Sequence, residues 1–113
     1  MSIKFFIGYD AKEDIAYRIC KYSLLKRSSS KLKIMSLKLD ELISKNLYTR
    51  TIDPLASTQF TYSRFLVPKL MNYEGWAIFC DCDFLFLDDV SNLTKNLDKS
   101  KAVYCVQHDY TPK

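Results

Sequence analysis

Apolar residues fall in short runs separated by polar stretches, a spacing that suits strands alternating with helices. Ile3 to Tyr9 is nearly continuous in apolar character and stops at Gly8-Tyr9-Asp10. With so few polar positions it predicts a strand buried on both faces, as in a parallel sheet. Asp10 is placed to cap a helix, with Glu13 three residues on as its capping partner. That helix is expected over Ala11 to Arg27, with Ile15, Ala16, Ile19, Cys20 and Ser23 or Leu24 as its apolar stripe, and Ser28-Ser29-Ser30 ends it. Leu32 to Leu37 is the next strand, which completes a strand–helix–strand unit in about 37 residues, the size of a βαβ crossover.

The pattern continues less regularly. Asp40 can cap a short helical turn through Ile43, and Asn46 to Ser57, with Asp53-Pro54, reads as loop. Thr58 to Tyr73 predicts a second helix with Phe60, Phe65, Leu66, Leu70 and Met71 inward and a kink or break at Pro68. Trp76 to Cys80 is a third buried strand, which delivers Asp81-Cys82-Asp83 at its carboxyl end. Phe84 to Leu87 reads as extended, Val90 to Leu97 as helical, and Ala102 to Gln107 as a fourth strand. This alternation predicts an α/β fold with a mostly parallel sheet and flanking helices.

Composition narrows the function classes. A chain of 113 residues is one domain at most, and 48% hydrophobic residues with only two Gly and three Pro mark it as globular. The net charge of +4 comes from lysines scattered along the chain, with no dense basic tract, so no nucleic-acid partner is expected. Those lysines read as solvated helix faces, or as a surface able to lean on anionic lipid in peripheral membrane contact or on a phosphorylated donor. Cys20, Cys80, Cys82 and Cys105 form no C-x-x-C pair and each sits in an apolar run, so buried reduced thiols and a cytoplasmic setting are expected. The apolar run before Gly8 is too short for a signal peptide, and no stretch is long enough for a transmembrane segment.

Two acidic motifs fall at expected carboxyl ends of strands, where open α/β sheets bind ligands. One is Gly8-Tyr9-Asp10 and the other is Asp81-Cys82-Asp83. In an extended segment Asp81 and Asp83 point to the same face. Their mutual repulsion would be relieved by a hard divalent cation, Mg²⁺, Mn²⁺ or Ca²⁺, of which Mg²⁺ usually keeps positions open for substrate phosphates. The apolar runs on both sides make unpartnered carboxylates expensive there. The plainer reading is a pair of loop carboxylates that cap the next helix or face water. Asp88 and Asp89 precede Val90-Ser91-Asn92-Leu93 and suit a helix N-terminus.

Asp81-Cys82-Asp83 at the end of an apolar strand, followed by Phe84-Leu85-Phe86, resembles the DxD motif of GT-A glycosyltransferases. The upstream Phe60-Thr61-Tyr62-Ser63-Arg64-Phe65-Leu66-Val67-Pro68 is similar to the Y-x-R-x-x-x-P helix of the galactosyltransferase and glycogenin-like branch of these nucleotide-diphospho-sugar transferases. Phe6-Ile7-Gly8-Tyr9-Asp10 is similar to the first strand of that Rossmann-like fold. The resemblance implies that residues 1–113 are the N-terminal, nucleotide-sugar-binding portion of a GT-A domain, incomplete at the C-terminus. It implies a metal on Asp81 and Asp83, and a nucleotide-diphospho-sugar on Gly8, Tyr9, Asp10, Arg64 and Asp81. It also implies hexosyl transfer, with UDP as the nucleotide, to an acceptor glycan or lipid-linked sugar. Beside these roles, Tyr9 also reads as a core aromatic, Asp10 as a helix cap and Arg64 as a surface residue. His108 follows the fourth expected strand and does not sit where that family's late histidine ligand lies. Two rival functions accompany the transferase: a nucleotide-sugar-binding module without transfer, and a phosphohydrolase of the haloacid dehalogenase type. The latter fits less well, because Leu85 stands where its motif carries Thr or Val.

Overall fold

The computed structural model describes residues 3–107, 109 and 111. It contains a three-stranded parallel sheet: β1 (Lys4–Gly8), β2 (Lys33–Leu37) and β3 (Ala77–Cys80), in the order β2-β1-β3. The expected α/β class, with a parallel sheet and flanking helices, is therefore present. β1 is the central strand, which accounts for its unbroken apolar run. Phe5, Phe6 and Ile7 are at most 1% exposed.

Successive side chains on β1 serve opposite faces. Phe5 and Ile7 join Cys20 and Leu24 of α1 (Asp14–Arg27), together with Phe60, Cys80, Cys82 and Val90. Phe6 joins Leu37 and with it Leu42 of α2 (Leu39–Ser44), and Leu70 of α3 (Val67–Leu70) packs against this second cluster. Both faces of the sheet are thus covered, as a parallel sheet requires.

The helix after β1 begins as a 3₁₀ turn, Ala11–Glu13, before becoming α1. Its buried side is Cys20, Ser23 and Leu24, with Tyr17 against the same cluster, while Ile15 and Ile19 are 75% and 52% exposed. The expected stripe is thus turned by about one position. Tyr17 packs edge-on against Tyr9 at 5.1 Å, which presents its own side of the helix to the sheet.

The later elements depart further from expectation. The helix expected over Thr58 to Tyr73 is a 3₁₀ turn, Ser63–Leu66, followed by the four residues of α3 with Pro68 in its first turn. Proline has no N–H to donate to the preceding turn, so it starts a helix more readily than it continues one. Phe65, expected inward, is 73% exposed. Asn72 and Tyr73 then take φ of 54° and 57°, which stops α3 and turns the chain toward β3. Of the helix expected over Val90 to Leu97, only α4 (Ser91–Thr94) forms. The segment from Ala102 to Gln107 forms no strand and is exposed throughout. It pairs with no sheet edge, and unpaired backbone groups stay in water. Among the described residues, no helix is long and apolar enough to cross a membrane.

Candidate functional site

The order β2-β1-β3 makes the chain leave β1 toward one neighbour and return on its other side. The carboxyl ends of β1 and β3 therefore lie side by side, with Ile7 opposite Cys80. This reversal of strand order is where open α/β sheets form ligand crevices. Tyr9 and Asp10 follow β1 there, and Asp81-Cys82-Asp83 follows β3.

The acidic motif lies at the start of a turn, not in an extended strand. Cys82 is fully buried, Asp81 is half-buried and Asp83 is exposed. The Cys82 thiol donates to Glu13 Oε2 at 3.0 Å, tying the end of β3 to the start of the helical segment after β1. Burial, that bond and the nearby carboxylates push the Cys82 thiol up to about 12, so it stays protonated at neutral pH. Glu13 therefore does not act as the capping partner of Asp10.

Asp81 has its carboxyl held above the ordinary value of 3.8, first by partial burial and then by the charge of Asp83. Glu13 adds a smaller repulsion, and the Arg64 guanidinium offsets part of the rise. Arg64 stands on the Ser63–Leu66 turn, is exposed, and donates from Nε to the Thr61 carbonyl at 3.1 Å. The structure thus brings Asp81, Asp83, Glu13 and Arg64 into one electrostatic neighbourhood.

The β1 end is occupied differently. Asp10 is 4% exposed and accepts from the backbone N–H of Lys12 at 3.0 Å and of Gln59 at 3.2 Å. Gln59 Oε1 in turn accepts from Ala11 N at 3.0 Å. Asp10 is thus a cap that also anchors the Thr58–Phe60 segment over the sheet. Gly8 lies beneath Phe60, whose ring atoms come within 2.6 Å of where a Cβ would stand. Its lack of a side chain serves that packing. The Tyr9 hydroxyl donates to Asp14 Oδ1 at 2.7 Å, which holds its phenol above the ordinary value of 10.0, and Lys38 stands 5.0 Å over the ring. His108 lies outside the described residues.

Glu13 and Lys38 are the neighbours that sequence reasoning missed. Lys38 directly follows β2, so it shares the carboxyl edge of the sheet, a position readable from strand boundaries alone. Glu13 signalled only a capping role, because its thiol partner lies 69 residues away.

Among the described residues, no group of three or more His, Cys, Asp or Glu side chains is arranged to hold a metal ion by itself. Two carboxylates are instead the usual protein share of a Mg²⁺ site that is completed by substrate phosphates and water. The like-charge stress on Asp81 is the kind that a shared cation relieves. By themselves Asp81 and Asp83 supply at most part of a cation's ligand set, not an all-protein cage.

Downstream, the chain is pinned along α1. Buried Ser23 donates to the Cys20 carbonyl at 2.9 Å and accepts from Phe86 N at 3.0 Å. Asp89 accepts from Ser29 N at 2.9 Å and Ser91 N at 3.0 Å, the expected capping role with a further tie across the chain. The Ser29 side chain first, then the Ser91 N–H, lower its carboxyl to about 2. All four cysteines are free, with Cys20, Cys80 and Cys82 buried as expected, but Cys105 is exposed because its expected strand does not form.

No protein-family model matches the chain, and no solved structure matches it. The chain is 50% identical over 110 residues to Protein CDI of Arabidopsis thaliana, across 97% of its own length and 42% of that protein. It thus spans less than half of the relative's length. These findings overturn the GT-A assignment read from the Asp81-Cys82-Asp83 and Arg64 motifs. The similarity leads to Protein CDI, and neither a family model nor a solved structure ties it to those transferases. A DxD turn and a tyrosine–arginine–proline spacing are short enough to arise without common descent.

Proposed function

We propose that the carboxyl end of the sheet binds a nucleotide diphosphate-linked sugar, with UDP as the nucleotide, through a divalent cation, Mn²⁺ or Mg²⁺, held by Asp81 and Asp83. The observation that carries this reading is the placement of that carboxylate pair, one member partly desolvated, beside the end of β1 at the strand-order reversal. When bound, the cation would neutralise charge developing on a leaving diphosphate. Arg64, whose charge already reaches Asp81, would turn toward the phosphates with directional, charge-assisted hydrogen bonds. Tyr9 offers an aromatic edge for the base, with Lys38 beside it as a second cation. Because the chain spans less than half of its relative, donor binding is proposed for this chain, and glycosyl transfer to an acceptor hydroxyl for the whole protein. Three buried free thiols support a reducing, cytoplasmic setting.

Calorimetric titration with UDP checks the reading. Binding is expected in Mn²⁺, is lost in chelator, and is lost again in Asp83→Asn. Equal binding in all three conditions would sink it. Turnover of a UDP-sugar by the same preparation separates a transferase from a binding module.

A further inference from the structure

The two carboxylates of the acidic turn flank a residue that faces the other way. Cys82 is fully buried among Phe5, Ile7, Cys20 and Cys80, while Asp81 is half-buried and Asp83 is exposed. A turn this close to a strand end could present either set of side chains inward. Burial of the apolar Cys82 and hydration of the carboxylates already favour the observed choice, and the bond from the Cys82 thiol to Glu13 Oε2 at 3.0 Å fixes where the turn sits. Glu13 itself is exposed and sits at the end of the Ala11–Glu13 turn. That turn is fixed at its other end by Asp10, through Lys12 N and the Gln59 backbone. The bond therefore joins the two segments that frame the candidate crevice.

We propose that Glu13 is a positioning residue for the donor site: by accepting the Cys82 thiol it pins the acidic turn to the Ala11–Glu13 turn and so sets where Asp81 and Asp83 present their carboxylates to the cation. This rests on the donor-site reading above. Glu13 acts through Cys82 and is not itself a ligand of the cation. Its nearness to Asp81 also adds negative charge, so removing it alone confounds geometry with electrostatics. A double-mutant cycle separates the two.

The test follows Mn²⁺ binding by electron paramagnetic resonance at saturating UDP, with circular dichroism confirming that each variant is folded. Cys82→Ala and Glu13→Ala are each expected to weaken Mn²⁺ about tenfold, the usual cost of losing a residue that orients a metal ligand. Glu13→Ala in the Cys82→Ala background is expected to cost clearly less than it does alone. Cys82→Ser, which keeps an O–H donor, is expected to stay within about threefold of the parent on the same scale. Should Cys82→Ala fail to fold, Glu13→Gln, which removes the charge but keeps an acceptor for the thiol at this exposed site, separates the two effects: it is expected to stay near the parent, and a loss equal to that of Glu13→Ala overturns the positioning role. Losses that multiply in the double variant, or an unchanged Mn²⁺ affinity in Glu13→Ala, overturn the positioning role while leaving the donor site in place. A parent chain that takes up no Mn²⁺ with UDP overturns the donor-site reading and the positioning role with it.

Discussion

The two edges of the sheet are built on different terms. β2 alternates exposed and part-buried positions up to the buried Leu37, opens with Lys33 and is flanked by Lys31 and Lys38, the charged trim that keeps an edge strand from pairing further. β3 reads Ala77-Ile78-Phe79-Cys80, with no polar position, yet only Cys80 is buried. Beside it lies an apolar cavity of about 800 Å³ lined in part by Trp76, Ile78, Phe84, Leu93 and Tyr104. β3 thus has the composition of an interior strand in an edge position. The strand–helix–strand unit through β2 closes on itself by local packing. The part after β3 is held by Cys82 and Val90 in the first cluster, by Phe86 edge-on against Phe5 at 5.6 Å, and by single polar ties, Phe86 to Ser23 and Asp89 to Ser29.

That contrast can be broken at several points. The largest effect is expected in the centre. Phe5→Ala removes a ring that is 1% exposed, at a cost of about 3–5 kcal/mol by urea denaturation. A loss under 1 kcal/mol would mean that β1 is not the core of the unit. Gly8→Ala is next. Its Cβ would meet the Phe60 ring at 2.6 Å, and forcing the ring aside is expected to cost about 1–3 kcal/mol. The ring is held from behind by the Asp10–Gln59 bonds, so little relief is available.

Asp89 probes the trailing segment through pH. Its folded-state carboxyl is depressed from 3.8 to about 2, so its ties stabilise the protein above pH 4 and lose that contribution as pH falls toward 2. Asp89→Asn is expected to flatten the fall in urea midpoint across that window. An unchanged acid limb would show that the tie to Ser29 contributes nothing. The smallest effect belongs to the exposed run after α4. Val103→Lys, at a site 79% exposed, is expected to change stability by no more than about 0.5 kcal/mol. A larger loss would mean that this segment packs more closely than the contrast allows.

The same contrast explains what could be read in advance. The three strands and the first helix were legible because their signals are local: unbroken apolar runs, a capping Asp10 and the serines after Arg27. The rest depended on neighbours. Nothing along the chain shows that Tyr17 meets Tyr9 and so turns Ile15 and Ile19 outward. The apolar run at 102–107 looks like a strand, yet it does not pair with the open edge of β3. At the site, strand order brought the two acidic motifs together as expected. Gly8 and Asp10, though, have packing and capping partners that only the fold reveals, and Glu13 enters through a bond across 69 residues. The short motifs were legible but not diagnostic of family.

If the donor-site proposal holds, Asp81 and Asp83 serve a ligand and not the fold. A carboxyl raised in the folded state binds its proton more tightly there, so its ionised form costs stability once pH rises past the raised value. At neutral pH the ligand-free chain therefore carries that cost. The most direct measurement is thermal unfolding of the parent and of Asp81→Asn/Asp83→Asn, each alone and with UDP and Mn²⁺. The ligand-free variant is expected to melt at or above the parent. UDP with Mn²⁺, at about a hundred times its dissociation constant, is expected to stabilise only the parent, by about 2.7 kcal/mol or roughly ten degrees. A variant that melts well below the parent, in a chain that shows no response to UDP and Mn²⁺ together, would contradict the donor-site proposal and leave the acidic turn a purely structural feature.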